Sequence, residues 1–215
     1  MSAHAPKVYL HPVVERFWHW VHAACICGLA ITGIGIHWPT TFKLIGGLDT
    51  AVTLHNIIAW ITIGDFALWV LLNLALKRFH HYIPNRSDVG HKLVKQVLFY
   101  AMDNFLGKEN PSHPTPENKF NPMQKFSYVV VMGVFMPLVI FTGILYLYPI
   151  AFEGVINALG GLTVIAIVHF VLAGILTAFM VVHVYLCTLG PTVTEDFMHM
   201  ISGYGSAPHE EHAEH

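Results

Sequence analysis

Residues 162–188 read LTVIAIVHFVLAGILTAFMVVHVYLCT. The stretch carries no Asp, Glu, Lys or Arg, and its apolar run is broken by two imidazoles, His169 and His183. A hydrocarbon core about 30 Å thick needs about 20 apolar residues per helix, so the segment reads as a transmembrane helix. Three more stretches meet the same requirement: 14–37, 51–76 and 126–148. The expected fold is therefore all-α, an integral membrane four-helix bundle. Composition agrees, since 54% of the 215 residues are hydrophobic and only 11% charged, about half the charged share of a soluble domain. With a net charge of -2 and eleven Lys plus Arg, no basic face exists to neutralise a run of phosphates, and nucleic acid is excluded as a partner. Met1 to Tyr9 contain no charged-then-apolar leader with a small-residue cleavage site, so the first helix is expected to stay in the protein.

Working outward from helix four, the chain reads as a diverged two-helix unit used twice. Thr32-Gly33-Ile34 is followed by Trp38-Pro39, and Thr142-Gly143-Ile144 by Tyr148-Pro149, at identical spacing. Helices two and four each carry a histidine near their start, His55 and His169. The segment from Lys77 to Lys125 holds eight of the eleven basic residues, and Lys7 and Arg16 lie at the N-terminus, while the other two loops contain only Lys43. By the positive-inside rule both termini and the middle loop are cytoplasmic. That loop, with Pro84, Pro111, Pro114, Pro116 and Pro122, is a linker with one ordered piece, an amphipathic surface helix across Lys92 to Leu106. The transmembrane domain is expected to occupy 1–190. Pro191 stops helix four, and 191–215 holds a short interfacial helix, Val193 to Ile201, and a mobile His/Glu tail with His209, His212 and His215.

Sixteen histidines outnumber both the acids and the bases, which directs attention to metal or haem. His169 and His183 are fourteen residues apart, about 21 Å along a helix and within roughly 40° of one face. Helix four runs inward, so His169 lies in the outer half of the bilayer and His183 in the inner half. His55 sits near the outer start of helix two and His19 near the inner start of helix one. Depth alone pairs His55 with His169 and His19 with His183, two stacked bis-histidine sites. An imidazole in hydrocarbon exposes a donor and an acceptor, and leaving either unmade costs several kcal/mol. Haem gives one ring nitrogen an iron and fills the space between helices, while the other nitrogen can donate to a carbonyl. The bland alternative is that each histidine hydrogen-bonds across the bundle. His22, one turn beyond His19, is the other candidate for the inner iron, with His19 preferred on depth. His37, beside Trp38, reads as interfacial. Cys25, Cys27 and Cys187 offer neither a disulfide framework nor a C-x-x-C-H attachment motif, so any haem is noncovalent and the cysteines pack as small hydrophobes.

These residues resemble a known family, the dihaem cytochrome b subunits of bacterial respiratory formate dehydrogenases and nickel-iron hydrogenases. The resemblance is carried by Arg16-Phe17-Trp18-His19-Trp20, by His55, by Asn121-Pro122-Met123-Gln124-Lys125 before helix three, and by His169 and His183 followed by Tyr185. Four helices and this length are more similar to the formate dehydrogenase gamma subunit than to the five-helix hydrogenase form. The resemblance implies two noncovalent b haems and a menaquinone or ubiquinone site beside the inner one. The family's Asn-x-x-Gln segment carries over onto Asn121 and Gln124, with His183 alongside. Met123 is bulkier than the residue the family often has there. The alternative is that Asn121 caps helix three and Gln124 lies in the headgroup layer.

The arrangement implied is a wire across a prokaryotic inner membrane. Electrons from an outer-face iron-sulfur subunit and a Mo/W or NiFe catalytic subunit pass through the outer and then the inner haem to the quinone pool. Moving them inward against a positive-outside potential costs about 2.3 kcal/mol per 100 mV. The chain has no Mo, Ni or iron-sulfur ligand pattern, so substrate oxidation is expected on another polypeptide. Asp65, midway along helix two, is a candidate for proton delivery or for a bond to Thr62 or Thr177. Arg16 is a candidate partner for a haem propionate, or a positive-inside anchor, with Glu15 within reach to pair with it. Two other readings stay open: a quinol-oxidising cytochrome b feeding a reductase or multihaem cytochrome c, and a small transporter or membrane scaffold without haem.

Overall fold

A computed structural model of the chain describes residues 7–42, 46–108, 110–112, 115, 118–190 and 192–206. Lys43, Pro114, Pro116, Pro191 and the tail histidines His209, His212 and His215 lie outside the described residues, and with them the expectations they carried. In chain order the elements are β1 (Lys7–Tyr9), α1 (Val13–His37), α2 (Leu48–Ala75), α3 (His91–Ala101), α4 (Pro122–Val130), a π turn (Val131–Phe135), α5 (Met136–Leu147), α6 (Glu153–Ala158), α7 (Leu162–Leu186), α8 (Glu195–Ser202) and β2 (Tyr204–Ser206).

Among the described residues, four helices are long and apolar enough to cross a membrane: α1, α2, the continuous Pro122–Leu147 and α7. In hydrocarbon every backbone N–H and C=O must be satisfied within the segment, and an unbroken helix does this. The third span starts four residues earlier than its hydropathy indicates, because a cap at Asn121 nucleates it. Its π turn has a cause in the sequence. Pro137 has no N–H and its ring presses on the carbonyl four residues back, so the helix widens ahead of it.

The chain divides into two compact units. One comprises Trp18–Ala75 and Val130–Val181, the body of the four spans. Leu145, Ile156 and Ile165 form its buried cluster, tying α5, α6 and α7 together. Large apolar side chains such as Trp60, Leu68, Ile167 and Val171 remain exposed, a surface that water would penalise and lipid accepts.

The other unit comprises Met1–Phe17, Leu76–Val129 and Val182–His215. Here β1 and β2 pair antiparallel, Lys7 opposite Ser206 and Tyr9 opposite Tyr204. Gly203 ends α8 at φ 87°, and a Cβ there would stand 2.7 Å from the His11 carbonyl oxygen, so only glycine closes this junction. The expected amphipathic helix is present as α3, followed by a 3-10 turn over Asp103–Leu106, and Gln96 and Phe99 form its buried side. Lys125 Nζ donates to Asp88 Oδ2 at 2.8 Å with both side chains buried, which fastens the middle loop to the start of the third span. Burial disfavours the Asp88 carboxylate, but the hydrogen bond and charge of Lys125 outweigh it and hold its pKa below the usual range.

Candidate functional site

The repeat read from the sequence is physical. Thr32 Oγ1 lies 2.8 Å from His55 Nδ1, and Thr142 Oγ1 lies 3.0 Å from His169 Nδ1. Each hydroxyl gives its own proton to the backbone, Thr32 to the Gly28 carbonyl at 2.7 Å and Thr142 to the Leu138 carbonyl at 2.9 Å. Its lone pair is then left to accept, so each imidazole donates from Nδ1 and presents Nε2 as the bare nitrogen. The glycine after each threonine makes room for the ring. A Cβ on Gly33 would lie 3.7 Å from His55 Cε1, and one on Gly143 would lie 3.1 Å from His169 Cε1. The two rings also lie within electrostatic reach of each other. Two imidazoles on separate helices, each held in the Nε2-lone-pair tautomer by an accepting hydroxyl, are a donor set that would hold a haem iron. Haem b fits these residues. The threonines were legible only as part of the Thr-Gly-Ile spacing; their contact with the imidazoles was not.

On α1 and α2 a second polar pair lies in the apolar body. His22 Nδ1 and Asp65 Oδ2 are 2.8 Å apart, with the carboxylate side chain 5% exposed. Trp18 stacks on His22 with centroids 5.1 Å apart and donates its indole N–H to the Asp65 carbonyl at 3.2 Å. The sequence expectation of a threonine partner for Asp65 is corrected: Thr62 donates to the Ile58 carbonyl and Thr177 to the Ala173 carbonyl. A hydroxyl on an apolar helix finds the carbonyl four residues back more readily than a neighbouring helix. His19, half-buried on α1, meets Trp20 edge-on at 5.2 Å. His37 stacks on Phe170 at 4.3 Å.

In the other unit, Asn121 and Gln124 form a reciprocal capping box. Gln124 N–H donates to Asn121 Oδ1 at 2.8 Å and Asn121 N–H to Gln124 Oε1 at 3.0 Å. Asn121 Nδ2 donates to the Tyr100 hydroxyl at 3.4 Å. The capping reading of these two residues is therefore realised. His183 is exposed, its Nε2 4.0 Å from Cys187 Sγ. Arg16 donates to the Ile201 carbonyl, while its buried Nε finds no partner among the described residues. Glu15 pairs not with Arg16 but with Arg78 at 3.2 Å, Lys119 at 3.1 Å and His11 at 3.5 Å. Two cations, Arg78 and Lys119, together with His11, outcompete the adjacent residue, whose side chain leaves the helix in another direction.

A family model described as prokaryotic cytochrome b561 matches residues 10–203. The "Putative cytochrome YdhU" of Escherichia coli (strain K12) is 34% identical over 203 residues, covering 94% of this chain and 76% of its own length. The "Putative protein-methionine-sulfoxide reductase subunit YedZ1" of Azospira oryzae is 23% identical over 192 residues, covering 85% of this chain and 91% of its own.

Proposed function

The chain belongs to the prokaryotic cytochrome b561 family, and on that premise we propose that this membrane cytochrome b carries electrons through two stacked haems between an outer-face redox partner and quinone at the cytoplasmic side. The observation that supports it best is the pair of threonine-locked imidazoles, His55 and His169. Haem b, once bound, supplies an iron that cycles between ferric and ferrous. The chain's own part is to hold both Nε2 atoms in the binding tautomer at the outer site. The inner couple, His19 with His183, rests on depth read from the sequence, as do the cytoplasmic termini and the quinone contacts of Asn121, Gln124 and His183. Arg16 is proposed as the partner of a propionate.

The direction of flow has two readings. A catalytic subunit with an iron-sulfur module on the outer face, of formate dehydrogenase or hydrogenase type, would send electrons inward to quinone. One relative's name describes a reductase subunit, which favours the reverse, quinol oxidation feeding a reductase. The same wire serves both, and the partner's potential decides.

The test is haem stoichiometry and spectrum of the purified protein with full haem supply, with His55→Ala and His183→Ala as single variants. Two b haems in the parent, and the loss of a different one in each variant, is the expected result. One haem or none in the parent would overturn the conduit and favour a transporter or scaffold. Sidedness is tested separately with Ser87→Cys in the exposed middle loop: labelling of intact cells by an impermeant maleimide would place that loop outside and invert the direction.

A further inference from the structure

Between Trp20 and His37 the strongly polar side chains of α1 are His22 and Thr32, so apolar burial leaves the rotation of this helix about its own axis open. That rotation decides where His19 points. An imidazole tip stands about 6 Å from the helix axis, so a turn of about 20° carries it about 2 Å, whereas metal–ligand distances hold to about 0.2 Å. A helix that presents an iron ligand therefore needs polar contacts that fix its azimuth.

Asp65 on α2 makes two such contacts. Its Oδ2 accepts from His22 Nδ1 at 2.8 Å, since a carboxylate oxygen offers lone pairs alone, and its backbone carbonyl accepts from Trp18 Nε1 at 3.2 Å. Trp18 and His22 are one turn apart on α1 and stack at 5.1 Å. Trp69, one turn beyond Asp65 on α2, also stacks on Trp18, at 5.8 Å. One residue thus grips α1 at two levels, by side chain and by main chain. At 100° per residue with Trp18 as zero, His22 falls at about 40° and Thr32 at about -40°. Thr32 meets His55 of α2 at 2.8 Å, so one stripe of α1 faces α2 along most of its length. Cys27 falls at about 180° and His37 at about 100°, and these meet α7, Cys27 Sγ at 3.4 Å from Met180 Sδ and His37 stacked on Phe170 at 4.3 Å. His19 lies five full turns from His37, again at about 100°: it stands off the stripe that Asp65 grips, at the azimuth of α1 that meets α7.

We propose that Asp65 is a positioning residue for the inner haem ligand His19, acting through Trp18 and His22 on either side of it in the chain. The inference rests on the His19–His183 couple proposed above. It explains why a carboxylate 5% exposed stands in an apolar helix, where a polar group persists when a neighbouring helix bonds it. The internal repeat supports it independently. Val129 stands at the position equivalent to His19, and in that half the positions of His22 and Asp65 are Met132 and Phe179. The half without an imidazole to orient has no grip to orient it.

The experiment uses the purified haem-loaded protein, with the inner haem identified as the one lost in His19→Ala. Haem per polypeptide, low-temperature electron paramagnetic resonance of the ferric haems and a two-component redox titration are read in Asp65→Ala, Asp65→Asn and Trp18→Phe. Asp65→Ala is expected to lower inner-haem affinity about tenfold, as loss of a ligand's supporting bond does, read as reduced occupancy, and to shift the inner haem's resonance and potential while the outer haem stays as in the parent. Asp65→Asn keeps an oxygen for His22 Nδ1 and is expected to restore the inner signals. Trp18→Phe keeps a ring, removes the indole N–H and is expected to shift the same signals by less. Inner signals unchanged in both Asp65→Ala and Trp18→Phe would overturn the positioning role, and so would equal shifts of both haems, which would make Asp65 a support of the whole bundle. If Asp65→Ala does not fold, Trp18→Phe decides alone: a shift confined to the inner haem supports the role and an unchanged inner haem overturns it. A parent whose two haems both survive His19→Ala would overturn the inner couple itself, and this inference with it.

Discussion

Replacing Thr142 by Val removes one hydroxyl and keeps the shape and β-branching of the side chain. In the parent the His169 Nδ1–H donates to Thr142 Oγ1 across 3.0 Å; in the variant it faces a methyl group. An unsatisfied buried donor costs roughly 1–3 kcal/mol, and loss of a partner that orients a metal-bound imidazole lowers metal affinity by about 10–100-fold. The two ranges agree, since about 1.4 kcal/mol is a factor of ten. The effect on potential has a definite sign. A hydrogen bond accepted from Nδ1–H makes the ring a stronger electron donor and stabilises ferric iron, so removing it raises the potential. If ferric affinity falls tenfold more than ferrous affinity, the rise is about 59 mV for one electron. Thr32→Val acts on the opposite imidazole through a 2.8 Å contact, so it is expected to shift the same haem by a similar amount. The double variant is expected to shift it by about the sum, because the two ligands touch different helices. Redox titration with two-component fitting of the b-type absorbance reads all three. Equal potentials in parent and variants would refute the claim that these hydroxyls act on iron ligands, and a shift of the inner haem alone would refute the pairing of His55 with His169.

Gly143→Ala places a Cβ 3.1 Å from His169 Cε1, whereas Gly33→Ala meets His55 Cε1 at an ordinary 3.7 Å; the first is expected to lower outer-haem occupancy on purification and the second to leave His55 ligation intact, as read by pyridine haemochrome assay. Lys125→Met leaves Asp88 buried without its cation and is expected to cost about 3–5 kcal/mol, seen as an earlier loss of monodisperse protein on heating. Because the folded Asp88 pKa lies below its ordinary 3.8, its stabilisation is fully present above that value and is lost as pH falls from there through the lower folded value. Acid melts of the parent should therefore show this loss below about pH 4, and Asp88→Asn should flatten it. Asp65→Ala removes the carboxylate that His22 Nδ1 meets at 2.8 Å and is expected to destabilise the α1–α2 pair, with Asp65→Asn recovering most of the loss; equal melting of both variants would refute the hydrogen-bond reading and assign the stabilisation to the charge.

The four spans were legible because lipid imposes one rule on backbone and side chains alike, and hydropathy reads it directly. So was the repeat, since identical spacing of Thr32-Gly33 and Thr142-Gly143 survives divergence. What spacing does not carry is the bonding. Nothing in the sequence ranks His22 above Thr62 as the partner of Asp65, because the choice depends on helix rotation, which apolar helices with no strong polar face leave undetermined. Asn121 and Gln124 were read both as a cap and as ligand contacts. The cap is a local interaction over three residues and is decided by the backbone, whereas the contact of Asn121 with Tyr100 joins residues twenty-one apart in sequence. The π turn at Val131–Phe135 went unread in the sequence, although Pro137 explains it.

The repeat also says why the two ends of the proposed conduit differ. The offset of 110 residues that carries Thr32 to Thr142 carries His19 to Val129, and the offset of 114 that carries His55 to His169 carries Trp69, not a second imidazole, to the place of His183. At the Thr–His end both halves of the repeat keep imidazole, threonine and glycine, and the geometry is repeated, with Thr–His distances of 2.8 and 3.0 Å. Further along the helices the halves part. The first half has filled the position corresponding to His183 with Trp69, which stacks on Trp18 at 5.8 Å, and has gained the His22–Asp65 pair, whose counterparts in the second half are Met132 and Phe179. A symmetric site serves a haem that only passes electrons between two equal faces. An asymmetric one leaves a side for other chemistry, so the loss of the repeat at this end is what the proposed conduit needs where electrons leave the haems for quinone.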